Sequence, residues 1–278
     1  MYERFYGLRV KPFSIAPQAE FLYPSRRHRQ ALDLLQYGLA TRAPFVVVTG
    51  EIGTGKTTLL RHLLARVAAG TAFASVAHAH GGYANLLRWV ADALELPAAE
   101  GDEFVLEKRV LEHVARQHRL GRSVVLVVDE AQGLNAGALE KLRLLSNVND
   151  GGEAPFQVLL VGQSGLRRTL GQPQLAQLAQ RVAVDYHLEP LEADEIAPYV
   201  RHRLHVAGAA REDLFDEDAC EALHESTGGV PRLVNLLCDF ALLYGFSAQA
   251  PRIGRALIDE VTRDRARAIA QAARAASA

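Results

Sequence analysis

Short apolar runs recur along the first two thirds of the chain and alternate with segments of helical spacing. The apolar runs predict β-strands at 45–49, about 72–77, 124–128, about 157–161 and 182–187. The helical spacing predicts helices near 56–69, 83–94, 103–119 and 136–147. Strands that alternate with helices in this way indicate an α/β fold with a doubly wound, parallel, five-stranded sheet.

The last third of the chain has a different pattern, because strand signals stop at Glu192. Helical spacing predicts helices at 192–206, 216–226, 231–246 and 255–270, with breaks at Gly228-Gly229 and Pro251. A lead-in rich in aromatic residues and proline opens the chain, and a further helix is predicted at 25–39. The predicted organisation is a lead-in and first helix that form part of the core (1–44), an α/β core (45–190), a small all-helical lid domain (191–262) and a fraying Ala/Arg helical tail (263–278).

Composition excludes some classes of protein. The 278 residues include 31 Lys and Arg against 32 Asp and Glu, so the net charge of −1 argues against a sequence-wide footprint for nucleic acid. The arginines of the tail are interpreted as a solvated face rather than a nucleic-acid arm; they are Arg263, Arg265, Arg267 and Arg274. Cys220 and Cys238 are interpreted as buried thiols in a reducing compartment. With no signal peptide and no uncharged apolar run long enough to span a bilayer, we expect a cytoplasmic protein without membrane insertion.

The first chemical signal follows the predicted strand at 45–49. The octet Gly50-Glu51-Ile52-Gly53-Thr54-Gly55-Lys56-Thr57 matches Gly-x4-Gly-Lys-Ser/Thr, the Walker A motif of P-loop NTPases, and Thr58 continues it into a helix. Glycines let the backbone curl so that its N–H groups point at an anion, and the helix start adds a positive dipole end. Lys56 is expected to reach the β- and γ-phosphates of ATP, and the Thr57 hydroxyl to bind Mg²⁺.

A second signal follows the apolar strand at 124–128. Asp129 and Glu130 stand at its carboxyl end, where parallel sheets bind ligands, in the place of a Walker B motif. Asp129 is expected to hold the metal, and Glu130 to act as the general base that polarises the attacking water. An acidic helix cap is the alternative for this pair on its own.

A phosphate loop, a strand-terminal Asp-Glu pair and a helical domain after an α/β core together resemble an AAA+ ATPase. This resemblance implies that Gln163, after the strand at 157–161, orients the attacking water. Arg181 is implied to reach into a neighbour's ATP, with Arg167 and Arg168 as competing candidates. Arg232, which follows Pro231 at a predicted helix start, is implied to couple the lid to the nucleotide.

A narrower resemblance covers residues 1 to about 245. Four segments are similar to general secretion pathway protein A and to related ATPases of pilus biogenesis and exosortase-linked exopolysaccharide loci. They are the opening Met1-Tyr2-Glu3-Arg4-Phe5-Tyr6-Gly7-Leu8, the motifs Val128-Asp129-Glu130-Ala131-Gln132 and Gln180-Arg181-Val182, and Gly228-Gly229-Val230-Pro231-Arg232. The resemblance implies an ATPase that assembles into a ring or filament and powers or gates an envelope export apparatus. A protein component of that apparatus would be its partner and would bring it to the inner membrane. It also implies that Pro12, Phe13 and Tyr23 lie near the adenine.

Other functions fit parts of the same pattern. A transposition regulator that polymerises on DNA with ATP is the main alternative, and near-neutral charge weighs against it mildly. An intact Glu130 disfavours a slow nucleotide switch, and the helical domain after residue 191 disfavours a small-molecule P-loop kinase.

Overall fold

The protein is described from a computed structural model that covers residues 1–66, 70–77, 82–97, 103–147, 155–211 and 213–276. The chain divides into two compact units. The helical unit contains Met1–His28, Gly53–Thr58 and Glu189–Ala278, and the α/β unit contains Arg29–Ile52 and Leu59–Leu188.

All five predicted strands are present. They are β1 (Phe45–Gly50), β2 (Thr71–Val76), β3 (Ser123–Val128), β4 (Phe156–Gly162) and β5 (Val182–Leu188). Every neighbouring pair is parallel, and the order across the sheet is β2-β3-β4-β1-β5. Because β3, β4 and β1 are adjacent and parallel, their carboxyl ends lie side by side at one edge of the sheet, where such sheets bind ligands.

The helices follow the predicted pattern with several differences. They are α1 (Tyr2–Phe5), α2 (Arg26–Ala40), α3 (Lys56–Leu64), α4 (Tyr83–Ala93), α5 (Glu103–Arg119), α6 (Ala136–Leu145), α7 (Ser164–Leu170), α8 (Ala176–Ala179), α9 (Ala193–Val206), α10 (Glu217–Thr227), α11 (Pro231–Ser247) and α12 (Arg255–Ala276). Three short helices, α1, α7 and α8, were not predicted, since so few turns show no clear periodicity. Helix α3 ends before its predicted end, and residues 67–69 of that prediction lie outside the described residues.

Helix α12 continues beyond the predicted end at residue 270 and through most of the segment expected to fray. Its sequence there is rich in alanine and arginine, which are among the strongest helix formers. An ion pair between Arg267 and Asp264, 3.7 Å apart and one turn away from each other, adds local support. Intrinsic propensity therefore carries this helix farther than the apolar pattern alone predicted.

Both faces of the central strands are covered, which is why the strands read as continuous apolar runs. In β3, Val124, Leu126 and Val128 join one hydrophobic cluster, and the intervening valines, equally buried, point to the opposite face. On that opposite face α2 approaches closely at Gly38, where a methyl group would lie 2.7 Å from the Val46 side chain. Helices on both faces are the arrangement expected for a doubly wound parallel sheet, so the predicted fold class is confirmed.

The helical unit has its own hydrophobic core, which α9 to α12 form together with the lead-in. Four aromatic residues of the lead-in are at most 6% exposed within it, namely Tyr2, Tyr6, Phe13 and Phe21. The prediction that counted residues 1–44 with the α/β core therefore differs from the structure, in which Met1–His28 belongs to the helical unit. The sequence showed that these aromatic side chains had to be buried but contained no signal for the partner.

Arg203, a buried residue of α9, forms hydrogen bonds that connect the lead-in to this helix. The Arg203 guanidinium donates hydrogen bonds to the carbonyl oxygens of Pro12, at 2.6 Å, and Ser14, at 3.2 Å, and to the Tyr199 hydroxyl at 3.2 Å. It also lies 4.8 Å from the centre of the Phe21 ring. Backbone carbonyls removed from water in an irregular segment need donors, and Arg203 satisfies the buried carbonyl of Pro12 and the partly buried carbonyl of Ser14.

A membrane span was not expected from the sequence. Among the described residues, no helix combines the length and the apolar character needed to cross a bilayer.

Candidate functional site

Two glycines of the phosphate-loop motif have backbone conformations that other residues rarely adopt. Gly53 has a φ of +88° and Gly55 a φ of +98°. A methyl group on Gly53 would lie 2.7 Å from Cβ of Arg232, and one on Gly55 would lie 2.9 Å from Nε2 of His28. Both positions therefore require glycine, for the positive φ and for the lack of space. A backbone that curls through such conformations can present several N–H groups to one anion.

The side chains that follow these glycines lie at the start of α3. Thr54 is fully buried and Lys56 is only 8% exposed, whereas Thr57 and Thr58 are partly exposed. Lys56 is the first residue of α3, where backbone N–H groups have no partner inside the helix and the dipole favours an anion. The predicted sequence of strand, glycine loop and helix is thus present around this motif.

A buried histidine, which the sequence analysis did not single out, supports the loop from within the helical unit. The Ser25 hydroxyl lies 2.7 Å from Nδ1 of His28 and accepts a hydrogen bond from the His28 backbone N–H at 3.2 Å. Burial lowers the pKa of His28 to about 4, although a backbone hydrogen bond with Thr54 and the charge of Glu195 act in the opposite direction. The imidazole next to Gly55 is therefore neutral at physiological pH.

Helix α11 begins at the same loop. The Arg232 backbone N–H donates a hydrogen bond to the Gly53 carbonyl oxygen at 3.1 Å. Gly228 and Gly229 both have positive φ in the turn before α11, and the Leu191 N–H donates to the Gly229 carbonyl at 3.0 Å. The Arg232 side chain itself is exposed at the second position of α11, the placement that its sequence context predicted. Its role toward a nucleotide stays a prediction.

In the α/β unit, Asp129 and Glu130 directly follow β3. The Asp129 N–H donates to the Val76 carbonyl oxygen at 2.9 Å, which continues the pairing with β2 by one residue. The Glu130 N–H donates to Oδ1 of Asp129, also at 2.9 Å. Glu130 has a φ of +54°, a left-handed conformation that is uncommon outside glycine and clusters at functional sites.

Two glutamines contact the Glu130 carboxylate. Nε2 of Gln132 and Nε2 of Gln163 both donate to Oε2 of Glu130, the second at 3.3 Å. The Gln163 backbone N–H in turn donates to Oε1 of Gln132 at 2.9 Å. The structure therefore brings the two predicted residues Glu130 and Gln163 together. The structure adds Gln132 to this pair. In the sequence, only its position two residues after Glu130 pointed to a place near the site.

The first residues of the phosphate motif also belong to the α/β unit. Gly50 ends β1, and the Glu51 carboxylate accepts a hydrogen bond from the Ser164 hydroxyl at the start of α7. Ile52 is 61% exposed. The Ser164 contact joins Glu51, which directly follows β1, to the residue that directly follows Gln163.

The three arginines considered for action on a neighbouring subunit differ in their surroundings. Arg181, just before β5, is partly exposed, and its Nη1 donates to the Ser146 hydroxyl at 3.2 Å. Arg167 forms an ion pair with Asp185 at 2.9 Å, and Arg168 is exposed. Arg167 therefore has a carboxylate partner within its own chain. The assignment of Arg181 stays a prediction.

The three residues expected near the adenine lie in the helical unit. Phe13 is 1% exposed and packs edge-on against Phe215, with ring centres 5.7 Å apart. Pro12 is buried, and the partly buried Tyr23 ring packs 5.8 Å from the Tyr199 ring. In this structure Phe13 thus serves the hydrophobic core, and adenine contact by the three residues stays a prediction.

Comparison with known proteins gives the family. Residues 40–170 match the AAA domain. Over 254 residues, which are 91% of this chain, the sequence is 41% identical to general secretion pathway protein A of Aeromonas hydrophila. The chain contains an AAA domain and is related to general secretion pathway protein A. The resemblance inferred from the sequence motifs is confirmed. The matched residues make up 46% of the Aeromonas hydrophila protein, so this chain spans less than half of that relative's length.

Solved structures show the same fold. Cdc6p from Pyrobaculum aerophilum is 18% identical, with a TM-score of 0.71 over 88% of this chain and 69% of that one. ORC1 of Aeropyrum pernix, solved in complex with DNA, is 19% identical with a TM-score of 0.64 over 91% of this chain and 69% of that one. The RuvB branch migration motor of Thermotoga maritima is 16% identical with a TM-score of 0.55 over 88% of this chain and 72% of that one. At these identities the similarity concerns the fold.

Proposed function

We propose that the chain binds ATP with Mg²⁺, hydrolyses it, and self-associates in a nucleotide-dependent manner. The observation that carries this proposal is the loop before α3, in which Gly53 and Gly55 have positive φ and no room for a side chain, directly before Lys56 at the helix start. A curled glycine backbone, a helix N-terminus and a lysine together favour a phosphate group.

The residues available for the metal fit Mg²⁺. Thr57 and Asp129 provide hydroxyl and carboxylate oxygens, the donors that this hard cation prefers. Among the described residues there is no group of three or more His, Cys, Asp and Glu side chains that could hold a metal by themselves. Mg²⁺ at nucleotide sites needs no such group, because phosphate oxygens and water complete its shell. When bound, the ion neutralises charge on the β- and γ-phosphate oxygens.

In the proposed reaction Glu130 acts as the general base and Gln163 helps to orient the attacking water. The hydrogen bond from Gln163 to Glu130 supports this pairing, because it keeps an amide beside the carboxylate. Arg232 is proposed to sense the γ-phosphate from the start of α11. The hydrogen bond from its backbone N–H to the Gly53 carbonyl oxygen connects the glycine loop directly to that helix. Arg181 is proposed to complete the site of a neighbouring subunit.

For the cellular role, we propose that hydrolysis powers or gates the assembly of a bacterial envelope secretion or export apparatus, including the exopolysaccharide and pilus systems implied by the resemblance. The relationship to general secretion pathway protein A supports this. The proposed partner is a protein component of that apparatus, met on the cytoplasmic side of the inner membrane, where ATP is available.

An ATPase assay tests the proposal. The wild-type protein should hydrolyse ATP, Lys56→Ala should lose ATP binding, and Glu130→Gln should bind ATP without turnover. Lys108→Ala is the matched control, since that lysine is well exposed on α5, and it should behave as wild type. Light scattering with and without ATP measures self-association. Turnover by Glu130→Gln at the wild-type rate would show that the catalytic assignment is wrong.

A DNA titration separates this function from a transposition regulator. Duplex binding should be measured with and without a slowly hydrolysed ATP analogue over a range of salt concentrations. We expect no binding at low salt while ATP still drives self-association. Tight binding that needs the analogue and weakens steeply with salt would favour the DNA-dependent function instead.

A further inference from the structure

Gln132 lies at the centre of a small hydrogen-bond network at the carboxyl ends of β3 and β4. Its amide nitrogen donates to Oε2 of Glu130, and its amide oxygen accepts from the backbone N–H of Gln163 at 2.9 Å. One side chain thus joins the residue that follows β3 to the residue that follows β4. An amide can do this because it offers a donor and an acceptor at the same time, which neither a carboxylate nor an ammonium group does.

We infer that Gln132 is a positioning residue that holds the Glu130 carboxylate in the orientation needed for general-base catalysis. This inference rests on the proposed ATPase function. Gln132 acts through Glu130 and Gln163 and does not itself touch the reacting atoms.

The backbone conformation of Glu130 supports this role. A non-glycine residue in the left-handed region is strained, so it persists where its surroundings favour it. The bonds from Gln132 and Gln163 to the carboxylate, and from the Glu130 N–H to Asp129, are such surroundings. Without the Gln132 bond, the Glu130 side chain would have one amide donor left and more freedom to turn.

The last residue of β4 leaves space for the same contact. A methyl group at Gly162 would lie 2.8 Å from Oε1 of Gln132 and 3.3 Å from its backbone nitrogen. Gly162 does not have the positive φ that would require glycine for conformational reasons. The absent side chain is therefore explained by the close approach of Gln132, together with that of the Leu166 side chain at 3.2 Å.

The network also selects one oxygen of the carboxylate. Both amide donors bond Oε2 of Glu130. Among the described residues, none donates a hydrogen bond to Oε1. Oε1 is then the oxygen that can accept a proton from the attacking water while Oε2 is held. Loss of this alignment would slow the chemical step and leave ground-state nucleotide binding unchanged.

The test compares Gln132→Ala and Gln132→Glu with wild type in steady-state ATP hydrolysis and in binding of a fluorescent ATP analogue. Gln132→Ala should lower kcat about ten- to a hundred-fold, with the affinity for the analogue within about twofold of wild type. Gln132→Glu should be slower still, because it keeps an acceptor for the Gln163 N–H but puts a carboxylate against Glu130. Gln177→Ala, an exposed glutamine of α8, is the control and should match wild type.

The two variants separate the inference from a purely structural role. If Gln132 merely anchored the Gln163 backbone, Gln132→Glu would retain that anchor and hydrolyse ATP faster than Gln132→Ala, which would overturn the inference. Wild-type kcat in Gln132→Ala, or a kcat above it, would overturn it as well. Because glutamate has nearly the shape of glutamine, Gln132→Glu tests the idea even if the alanine variant does not fold. A wild-type protein that hydrolyses no ATP would instead refute the proposed function, and the inference with it.

Discussion

Protonation of His28 should destabilise the fold in mildly acidic solution. Burial lowers the pKa of this imidazole from 6.5 to about 4. Between these two pH values the unfolded chain binds a proton that the folded protein excludes, so the free energy of unfolding falls as the pH is lowered. The contribution of His28 is fully present above pH 6.5 and decreases until about pH 4. The affected region is the one in which His28 lies against the glycine loop at Gly55.

The size of the effect follows from the pKa difference. One pKa unit corresponds to about 1.36 kcal/mol, so lowering the pH from about 7.5 to about 5.0, roughly 1.5 units below 6.5, costs about 2 kcal/mol of stability. Near pH 4 the loss approaches about 3 kcal/mol, a large fraction of the stability of an ordinary domain. The pKa values of His113 and His202 are also lowered, mainly by burial, and add to the pH dependence of the wild-type protein.

The assay is urea unfolding at 25 °C, followed by far-UV circular dichroism at pH 7.5 and pH 5.0. The free energy of unfolding of wild type should fall between these pH values by about 2 kcal/mol more than that of His28→Gln, which cannot titrate there. His113 and His202 are present in both proteins, so their contributions cancel. Equal losses in wild type and His28→Gln would refute the reasoning.

Three other substitutions test the geometry of the helical unit. Gly229→Ala should lower the midpoint of thermal unfolding far more than Gly228→Ala, because a methyl group would clash with the Leu191 carbonyl oxygen at the first position and meet open space at the second. Similar melting of both variants would contradict this. Arg203→Met should cost about 3 kcal/mol in urea unfolding, since it removes the Arg203 donors from the buried Pro12 carbonyl and the partly buried Ser14 carbonyl. The exposed Arg201→Met should stay within about 0.5 kcal/mol of wild type. Gly53→Ala should weaken binding of a fluorescent ATP analogue at least about tenfold, because its φ of +88° disfavours a side chain; unchanged affinity would show that the loop does not need this conformation.

Local patterns account for the parts of the molecule that were predicted well. The apolar run ending at Val128 predicted a strand covered on both faces, and the structure contains it as β3 with every valine buried. Helices α5 and α9 were placed within one residue of their ends because amphipathic spacing extends over several turns. The glycine loop was also predicted from a local pattern, because a strand, three glycines and a helix start follow one another directly in the chain.

The elements that were missed depend on contacts between distant residues. The seven residues of α7 bury only Leu166 and Leu170, too few for a periodic signal. The aromatic lead-in was assigned to the core because burial of its rings could be inferred but their partner could not. Arg203 and the core of α9 to α12 provide that partner in the helical unit.

The sequence by itself determined the class of fold, the AAA relationship and the chemistry available around Lys56, Asp129 and Glu130, because these follow from residue types and short-range order. The tertiary structure decided which distant groups contact these residues and the glycine loop. His28 lies against Gly55, and Gln132 bridges Glu130 to Gln163, which lies 31 positions after Gln132 in the chain. Such contacts depend on the order of the strands and on the path of the loops between them. Periodicity reports which face of an element is buried, and it does not report which distant residue will cover that face.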